Sequence, residues 1–327
     1  MPKRVTIQDV ARQAGVSHQT VSRVINGKPD VAPETRDRIQ QIIDRLGYRP
    51  SSVARSLVSQ RTHTLSLISS SLDEDFYVQV MAGAEQEARR HGYVFLLSIV
   101  EPDAKPDSEE WRAVSERQVD GVFVASPELS HRAYIDWLIE QGIPVVAVAH
   151  PPQPGLITLN VDNIEGGYMA TRYLLSQGHR RIGTIPGVDN GRTTGYQRAL
   201  AEAGLPFEPD LVQGGDWSYQ SGYDAMQRLL RIAPDLTAVF AQNDQMAIGA
   251  IQALRDANRQ VPDDVAVVGF DDIPAAAFAC PPLTTIRQPM REIGCFAVRT
   301  LLERIRHPVM DRKEIVFKTQ FIRRSSA

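Results

Sequence analysis

The 327-residue chain reads as a small all-α head followed by a two-lobed α/β body built on doubly wound parallel sheets. Three observations predict this. The stretch TIQDVARQAGVSHQTVSRVIN, residues 6–26, patterns as two short amphipathic helices around a single glycine. From Thr64 onward, strand-like apolar runs alternate with helical segments, and that rhythm restarts near residue 160. Residues 1–60 hold ten Lys or Arg against five Asp or Glu, net +5, in a chain whose formal charge is −3, which leaves −8 for the remainder. A basic head on an acidic body fits phosphate binding confined to one end.

In the head, Thr6 with Asp9 makes a capping-box start, and Ile7, Val10, Ala11 and Ala14 follow as one narrow apolar stripe. Gly15 stops this helix, since a turn between steeply crossing helices needs positive φ, and the small Ala11 permits close approach. Ser17 caps the second helix. Val21, Val24 and Ile25 point inward, which leaves Ser17, His18, Gln19, Thr20, Ser22 and Arg23 outward or at the helix start. The plain alternative is a helical hairpin with a solvated polar face; the clustered positive charge favours a helix-turn-helix that reads DNA. Pro33 starts a third helix carrying Ile39, Ile42, Ile43 and Leu46, which ends at Gly47. The head is thus 1–48. Residues 49–61, RPSSVARSLVSQR, offer only Val53, Ala54, Leu57 and Val58 as apolar side chains, so this short hinge helix should form only against a partner.

The body occupies 62–327. Its first half runs LSLI, a helix from Val78 to Arg90, YVFLLSIV, a helix from Ser108 to Arg117, GVFVA, a helix from His131 to Glu140, and PVVAVA. After ITLNVD come helices from Gly166 to Ser176, Thr193 to Glu202, Gln220 to Leu230 and Met246 to Ala257, interleaved with RIGTIP, AVFAQ and VAVVGFDD. A helix from Arg291 to Arg306, a last strand EIVFKTQFI and a short tail RRSSA close the chain. The first lobe is about 62–161 plus 290–320, the second about 162–289 plus 321–327. Two such halves imply a cleft lined by loops at the carboxyl ends of strands. Trp217, after Gly214, Gly215 and Asp216, suits a flat stacking wall, and Phe76 with Tyr77 could complete a sandwich across the cleft. For each aromatic, plain core packing is the competing reading.

Composition excludes several classes. Cys280 and Cys295 are the two cysteines and form no CxxC, so neither a disulfide scaffold nor a zinc site is expected; both thiols should be reduced. No run of about eighteen apolar residues could span a membrane, and the basic N-terminus lacks a signal-peptide core, so a cytoplasmic protein is expected. No GxGxxG follows the first strand, and GxxxxGK[ST], HExxH and GxSxG do not occur. Asp271 and Asp272 are adjacent at a strand end, where side chains diverge, so they do not read as a catalytic pair. Neither an enzyme, nor a cofactor, nor a metal site is expected, and a transport-type binding protein would need an export signal and no basic head.

The chain closely resembles the LacI/GalR family of transcriptional regulators. The matching motifs are TIQDVARQAGVSHQTVSRVIN, VAPETRDRI, LGYRPSSVARSL, GHRRIG, GDWSYQSGY, AQNDQMAIGA, VVGFDD and PPLTTIRQP, in order along nearly the whole chain. The resemblance implies a helix-turn-helix head, a hinge helix, a body like a periplasmic sugar-binding protein, and a homodimer on a near-palindromic operator whose DNA affinity changes with a small effector. It places base reading at His18, Gln19 and Arg23, where Arg suits guanine and Gln suits adenine. It places phosphate contacts at Thr6, Ser17, Thr20, Ser22 and Asn26, although capping alone explains Ser17. Leu57 takes the position of the minor-groove wedge, with Arg55 near phosphate or the groove wall. The polar effector positions become Arg192, Asn243, Asp271 and Gln288, a fan of donors and acceptors.

Two positions depart from the family pattern. Ala149 and His150 stand where many sugar-responsive relatives place an aspartate, and Ala32 replaces a frequent capping serine. Purine-responsive relatives also use an aromatic sandwich and resemble GGYMATRYL, yet a broad indole at Trp217 favours a sugar face. A sugar-relieved repressor and a purine-assisted one both stay open. No leucine heptads follow the last strand, so dimers are expected.

Overall fold

The computed structural model describes residues 5–25, 27–48, 61–69, 75–100, 119–125, 132–149, 155–188, 190–307 and 313–327. The chain divides into two compact units, Met1–His63 and Thr64–Ala327.

The first unit contains α1 (Ile7–Ala14), α2 (His18–Ile25) and α3 (Pro33–Leu46). Asp9 N–H reaches Thr6 Oγ1 at 3.4 Å while Thr6 N–H reaches Asp9 Oδ2 at 3.0 Å, so each end of the box satisfies an otherwise unpaired donor. Gly15 sits at φ +64° with open space around it, so the turn selects glycine for its backbone and not for lack of room. Val10, Ala11, Ala14, Val21, Val24, Val31, Ile39 and Ile42 close one small core. No side chain caps α3 at Ala32; Pro33 in its first turn carries no N–H to satisfy.

The second unit holds two sheets. One has the order β10-β5-β4-β3-β1-β2, all parallel, from β1 (Thr64–Ser69), β2 (Val94–Ile99), β3 (Gly121–Ala125), β4 (Val145–Val148), β5 (Ile157–Val161) and β10 (Lys313–Phe317). The other has the order β11-β9-β8-β7-β6, from β6 (Ile182–Ile185), β7 (Ala238–Ala241), β8 (Ala266–Asp271), β9 (Thr284–Arg287) and β11 (Gln320–Ile322). β11 is antiparallel to β9, so the second sheet is parallel except at that edge. The apparent last strand EIVFKTQFI is therefore two strands in different sheets. The chain passes between sheets three times, at Asp162, at Gln288–Pro289 and at Lys318–Thr319.

The described α-helices of this unit are α4 (Asp75–Arg90), α5 (Arg132–Glu140), α6 (Asn163–Ser176), α7 (Arg192–Glu202), α8 (Tyr219–Ile232), α9 (Asp244–Asp256) and α10 (Met290–Arg306), which packs on α4. The pairs α4 with α10, α6 with α7, and α8 with α9 meet backbone to backbone through reciprocal glycines. A Cβ built at Gly294 would lie 1.9 Å from Val80 O, one at Gly167 2.2 Å from Arg192 O, and one at Gly249 1.9 Å from Tyr219 O.

Glu87 on α4 is buried and receives Arg299 Nε of α10 at 2.6 Å, with Arg90 and His91 each at 3.3 Å. The Arg299 hydrogen bond, opposed by burial, holds its carboxyl down at about 2 against an ordinary 4.5. A depressed folded-state value means stability that is complete above about 4.5 and lost as pH falls toward 2. Glu87→Gln should therefore lower the melting temperature at pH 7 and flatten the stability loss across that window. Identical acid-melting curves for the two proteins would refute the assignment.

The final residues do not trail. Ser326 is fully buried: its Oγ accepts from Thr284 N–H at 2.8 Å and donates to Val267 O at 2.6 Å, while Tyr173 Oη donates to Ala327 O at 2.8 Å. The tail expected of RRSSA is a wedge beside β8 and β9, because its serine hydroxyl pairs with both strands.

Candidate effector cleft and nucleic-acid interface

On the first unit, Ser17 Oγ accepts Thr20 N–H at 3.2 Å, which places Ser17, His18 and Gln19 together and exposed at the start of α2. Partly positive backbone ends concentrate there, favouring phosphate oxygens. Arg23, one turn on, is exposed and pairs with Asp30 at only 3.4 Å, a surface contact worth little and readily exchanged. Thr20 and Ser22 are half-buried. Thr6 caps α1. Asn26, Arg55 and Leu57 lie outside the described residues.

In the second unit, four sequence-predicted polar residues converge. Arg192 opens α7 and is buried; Nε donates to Asn163 Oδ1 at 2.9 Å, one terminal nitrogen donates to Gln242 O, and the other lies 3.7 Å from Asp271 Oδ1. Its guanidinium stacks 3.7 Å from the Phe270 ring centroid and 5.6 Å from that of Trp217. Gln288 Nε2 donates to Asp271 Oδ1 at 2.5 Å, and Gln288 Oε1 is buried with no partner among the described residues. Asn243 caps α9, accepting Met246 N–H at 2.8 Å, and its Nδ2 donates to Trp217 O at 2.8 Å.

Trp217 is half-buried, with φ +73°, and leans on Gly187, where a Cβ would lie 2.2 Å from the indole. Asp271 and Asp272 also sit at positive φ, +118° and +59°. Such conformations cost roughly 1–3 kcal/mol each in non-glycine residues and persist only where surroundings over-determine them. Burial raises the Asp271 carboxyl to about 6, with Arg192 and Gln288 opposing and Asp75 adding to the rise. Asp75, first residue of α4 in the other lobe, also helps raise the Tyr219 phenol, after burial. Charges from both lobes thus face one another here.

The two other aromatics separate. Tyr77 is buried in the core behind α4, while half-buried Phe76 meets it edge-on at 4.9 Å. Both lie on the first turn of α4, which begins three residues before the helix expected from Val78. A groove of about 350 Å³ lined by Gln79, Asp272, Arg287, Gln288, Arg291 and Arg324 lacks Arg192, Trp217 and Asn243. The convergent polar cluster, with its strained backbone and shifted carboxyl, is the chemically distinctive place.

Sequence reasoning passed over Asn163, Phe270 and Asp244. Asp244 follows Asn243 in AQNDQ and so stood beside a residue already singled out; Asn163 follows Asp162, which caps α6, and carried no such signal, while Phe270 reads as ordinary strand filling until its ring is seen under Arg192. Among the described residues there is no helix able to cross a membrane and no cluster of three metal-ligating side chains.

Residues 6–51 match the model for bacterial regulatory proteins of the lacI family, and residues 171–327 match a periplasmic binding protein-like domain. The HTH-type transcriptional regulator CelR of Thermobifida fusca is 38% identical over 99% of this chain and 98% of its own. The chain belongs to the lacI family. This lacI-family protein is also 34% identical to the HTH-type transcriptional repressor PurR of Aliivibrio salmonicida over 98% of both chains. Its fold matches the lac repressor dimer bound to operator and the anti-inducer ONPF, at TM-score 0.88, 27% identity and 99% coverage of both chains. A CelR–cellobiose complex matches at TM-score 0.73 and 35% identity, covering 99% of this chain and 100% of that one. The lacI-family regulator is accordingly a DNA-binding transcription factor with an effector-binding body, and not an enzyme.

Proposed function

We propose that this regulator is a repressor of carbohydrate-metabolism genes, controlled by a neutral sugar held between the lobes of its body. The linked cluster of Arg192, Asp271 and Gln288 beside Trp217 carries this reading. The Asp271 carboxyl, the Gln288 amide hydrogen-bonded to it with its Oε1 lacking a partner among the described residues, and a guanidinium behind them offer acceptors and donors suited to hydroxyls, and an indole matches the apolar face of a pyranose. The likeness to CelR, solved with cellobiose, supports it; the likeness to PurR supports a purine as the second reading. Thr6, Ser17, Thr20, Ser22 and Asn26 position the head on phosphate, His18, Gln19 and Arg23 read bases, and Arg55 with Leu57 serve the hinge at the operator centre. The working species is a cytoplasmic homodimer on a near-palindromic site. The effector favours one angle between the lobes and so changes operator affinity.

A thermal-shift screen with cellobiose, monosaccharides and purine bases, followed by operator titrations, tests the reading. A sugar that stabilises the body and changes operator affinity is expected. Stabilisation by a purine alone would replace the sugar, and no response to either would overturn the effector assignment. For the head, Gln19→Ala should lose about 1–3 kcal/mol of discrimination at one base step of each half-site. Uniform weakening across all duplexes would make Gln19 a phosphate contact.

A further inference from the structure

We propose that Asp244, a carboxyl wholly buried beneath the cleft floor, is the positioning residue for Asp271 and sets effector affinity without touching the effector. The inference rests on the reading that Asp271 meets the effector.

Asp244 is the first residue of α9, immediately after the Asn243 cap. Its Oδ2 accepts the Ile273 N–H at 2.9 Å and its Oδ1 receives the Thr285 hydroxyl at 2.5 Å. One carboxyl therefore ties the start of a helix to the exit of β8 and to the neighbouring strand β9. β8 ends at Asp271, and Asp272 alone separates it from Ile273; both aspartates sit at positive φ. A backbone so placed relaxes unless it is held from both sides. Arg287 Nε and Arg324, each at 2.6 Å, hold Asp272 from one side, and Asp244 holds Ile273 from the other. The strand makes room for this contact, because a Cβ at Gly269 would lie 2.3 Å from Asp244 Oδ1. That glycine is explained by the buried carboxyl and not by its own torsion angles.

The charges around the pair define how it works. Asp244 faces Asp271 and Asp272, while Asp271 faces Arg192, Gln288 and Asp75 of the opposite lobe. Burial foremost, then the Asp271 charge, pushes the Asp244 carboxyl well up, against the hydrogen bonds from Thr285 and Ile273. Asp244 acts as a hydrogen-bonding wedge, one oxygen on the Ile273 N–H and the other on the Thr285 hydroxyl. An asparagine keeps both ties, its Oδ1 accepting from Ile273 N–H and its Nδ2 donating to Thr285 Oγ1 with the direction of that bond reversed; an alanine keeps neither.

The test uses the full chain with Asp244→Asn, Asp244→Ala and Thr285→Val. Three quantities are read: amide exchange at Ile273, the titration midpoint of the Asp271 carboxyl carbon by NMR, and cellobiose affinity by calorimetry. Asp244→Ala should speed exchange at Ile273 at least tenfold beyond any change in the rest of β8, move the Asp271 midpoint away from about 6, and weaken cellobiose at least tenfold. Thr285→Val should do the same to a smaller degree, and Asp244→Asn should stay within about threefold of the parent throughout. Asp244→Ala with parental exchange and midpoint overturns the proposal, as does Asp244→Asn matching Asp244→Ala in damage. Should Asp244→Ala fail to fold, Thr285→Val against Asp244→Asn decides by the same criteria. If cellobiose does not bind the parent, the effector reading has failed, and exchange and titration still decide the coupling.

Discussion

Arg192→Ala should abolish the effector response and destabilise the body together. The guanidinium is buried, hydrogen-bonded to Asn163 and to Gln242 O, stacked on Phe270 and paired with Asp271. Removing one partner of a buried pair leaves the other charge uncompensated and typically costs about 3–5 kcal/mol. The Asp271 carboxyl, already raised against the opposition of Arg192, should rise further and be protonated at neutral pH, so it becomes a poor acceptor. Effector affinity is expected to fall more than a hundredfold. Arg192→Lys should recover part of the stability but little of the affinity, since an ammonium cannot span Asn163, Gln242 O and Asp271 as a planar fork does. Calorimetric titration with denaturant melts checks both effects, and parental values in Arg192→Ala would remove this cluster from the effector site.

Gly294→Ala carries the second large expectation. Its new methyl would stand 1.9 Å from Val80 O and 2.7 Å from Ala84 N, all backbone atoms that no rotamer change can move aside. α4 and α10 must separate, and overpacking of this kind costs about 1–3 kcal/mol or more. Gly214→Ala is the matched control, since a Cβ there meets nothing within 4 Å. Equal melting temperatures for the two variants would show that α4 and α10 tolerate a wider spacing than the structure indicates.

The alternation of apolar runs with helical segments was enough to read a parallel α/β body, because strands covered on both faces stay apolar throughout, as GVFVA and VAVVGF do. The head was legible for a similar reason: capping residues, one glycine at positive φ and a narrow stripe leave few alternatives. What could not be read locally depends on partners distant in sequence. EIVFKTQFI reads as one strand because nothing in it marks Lys318 and Thr319 as a crossing between sheets. PPLTTIRQP was singled out as a motif, yet its TTIR forms β9, and the partner it needs is the end of β8. Tyr77 and Phe76 stand side by side in sequence, but helical geometry sends one into the core and leaves the other at its edge. Asp244 was overlooked because the resemblance gave the effector position of that motif to Asn243 beside it.

α4 with α10, α6 with α7 and α8 with α9 are joined main chain to main chain through glycine. Where main chain rests on main chain, neither member of a pair can slide without losing contact, so each lobe moves as a solid body. Adjustment is left to three short pivots, Asp162, Gln288–Pro289 and Lys318–Thr319. A molecule so built would convert occupancy into rotation, and stiffening Asp162 or Lys318–Thr319 should retune its sensitivity while every residue proposed to meet DNA or metabolite stays untouched.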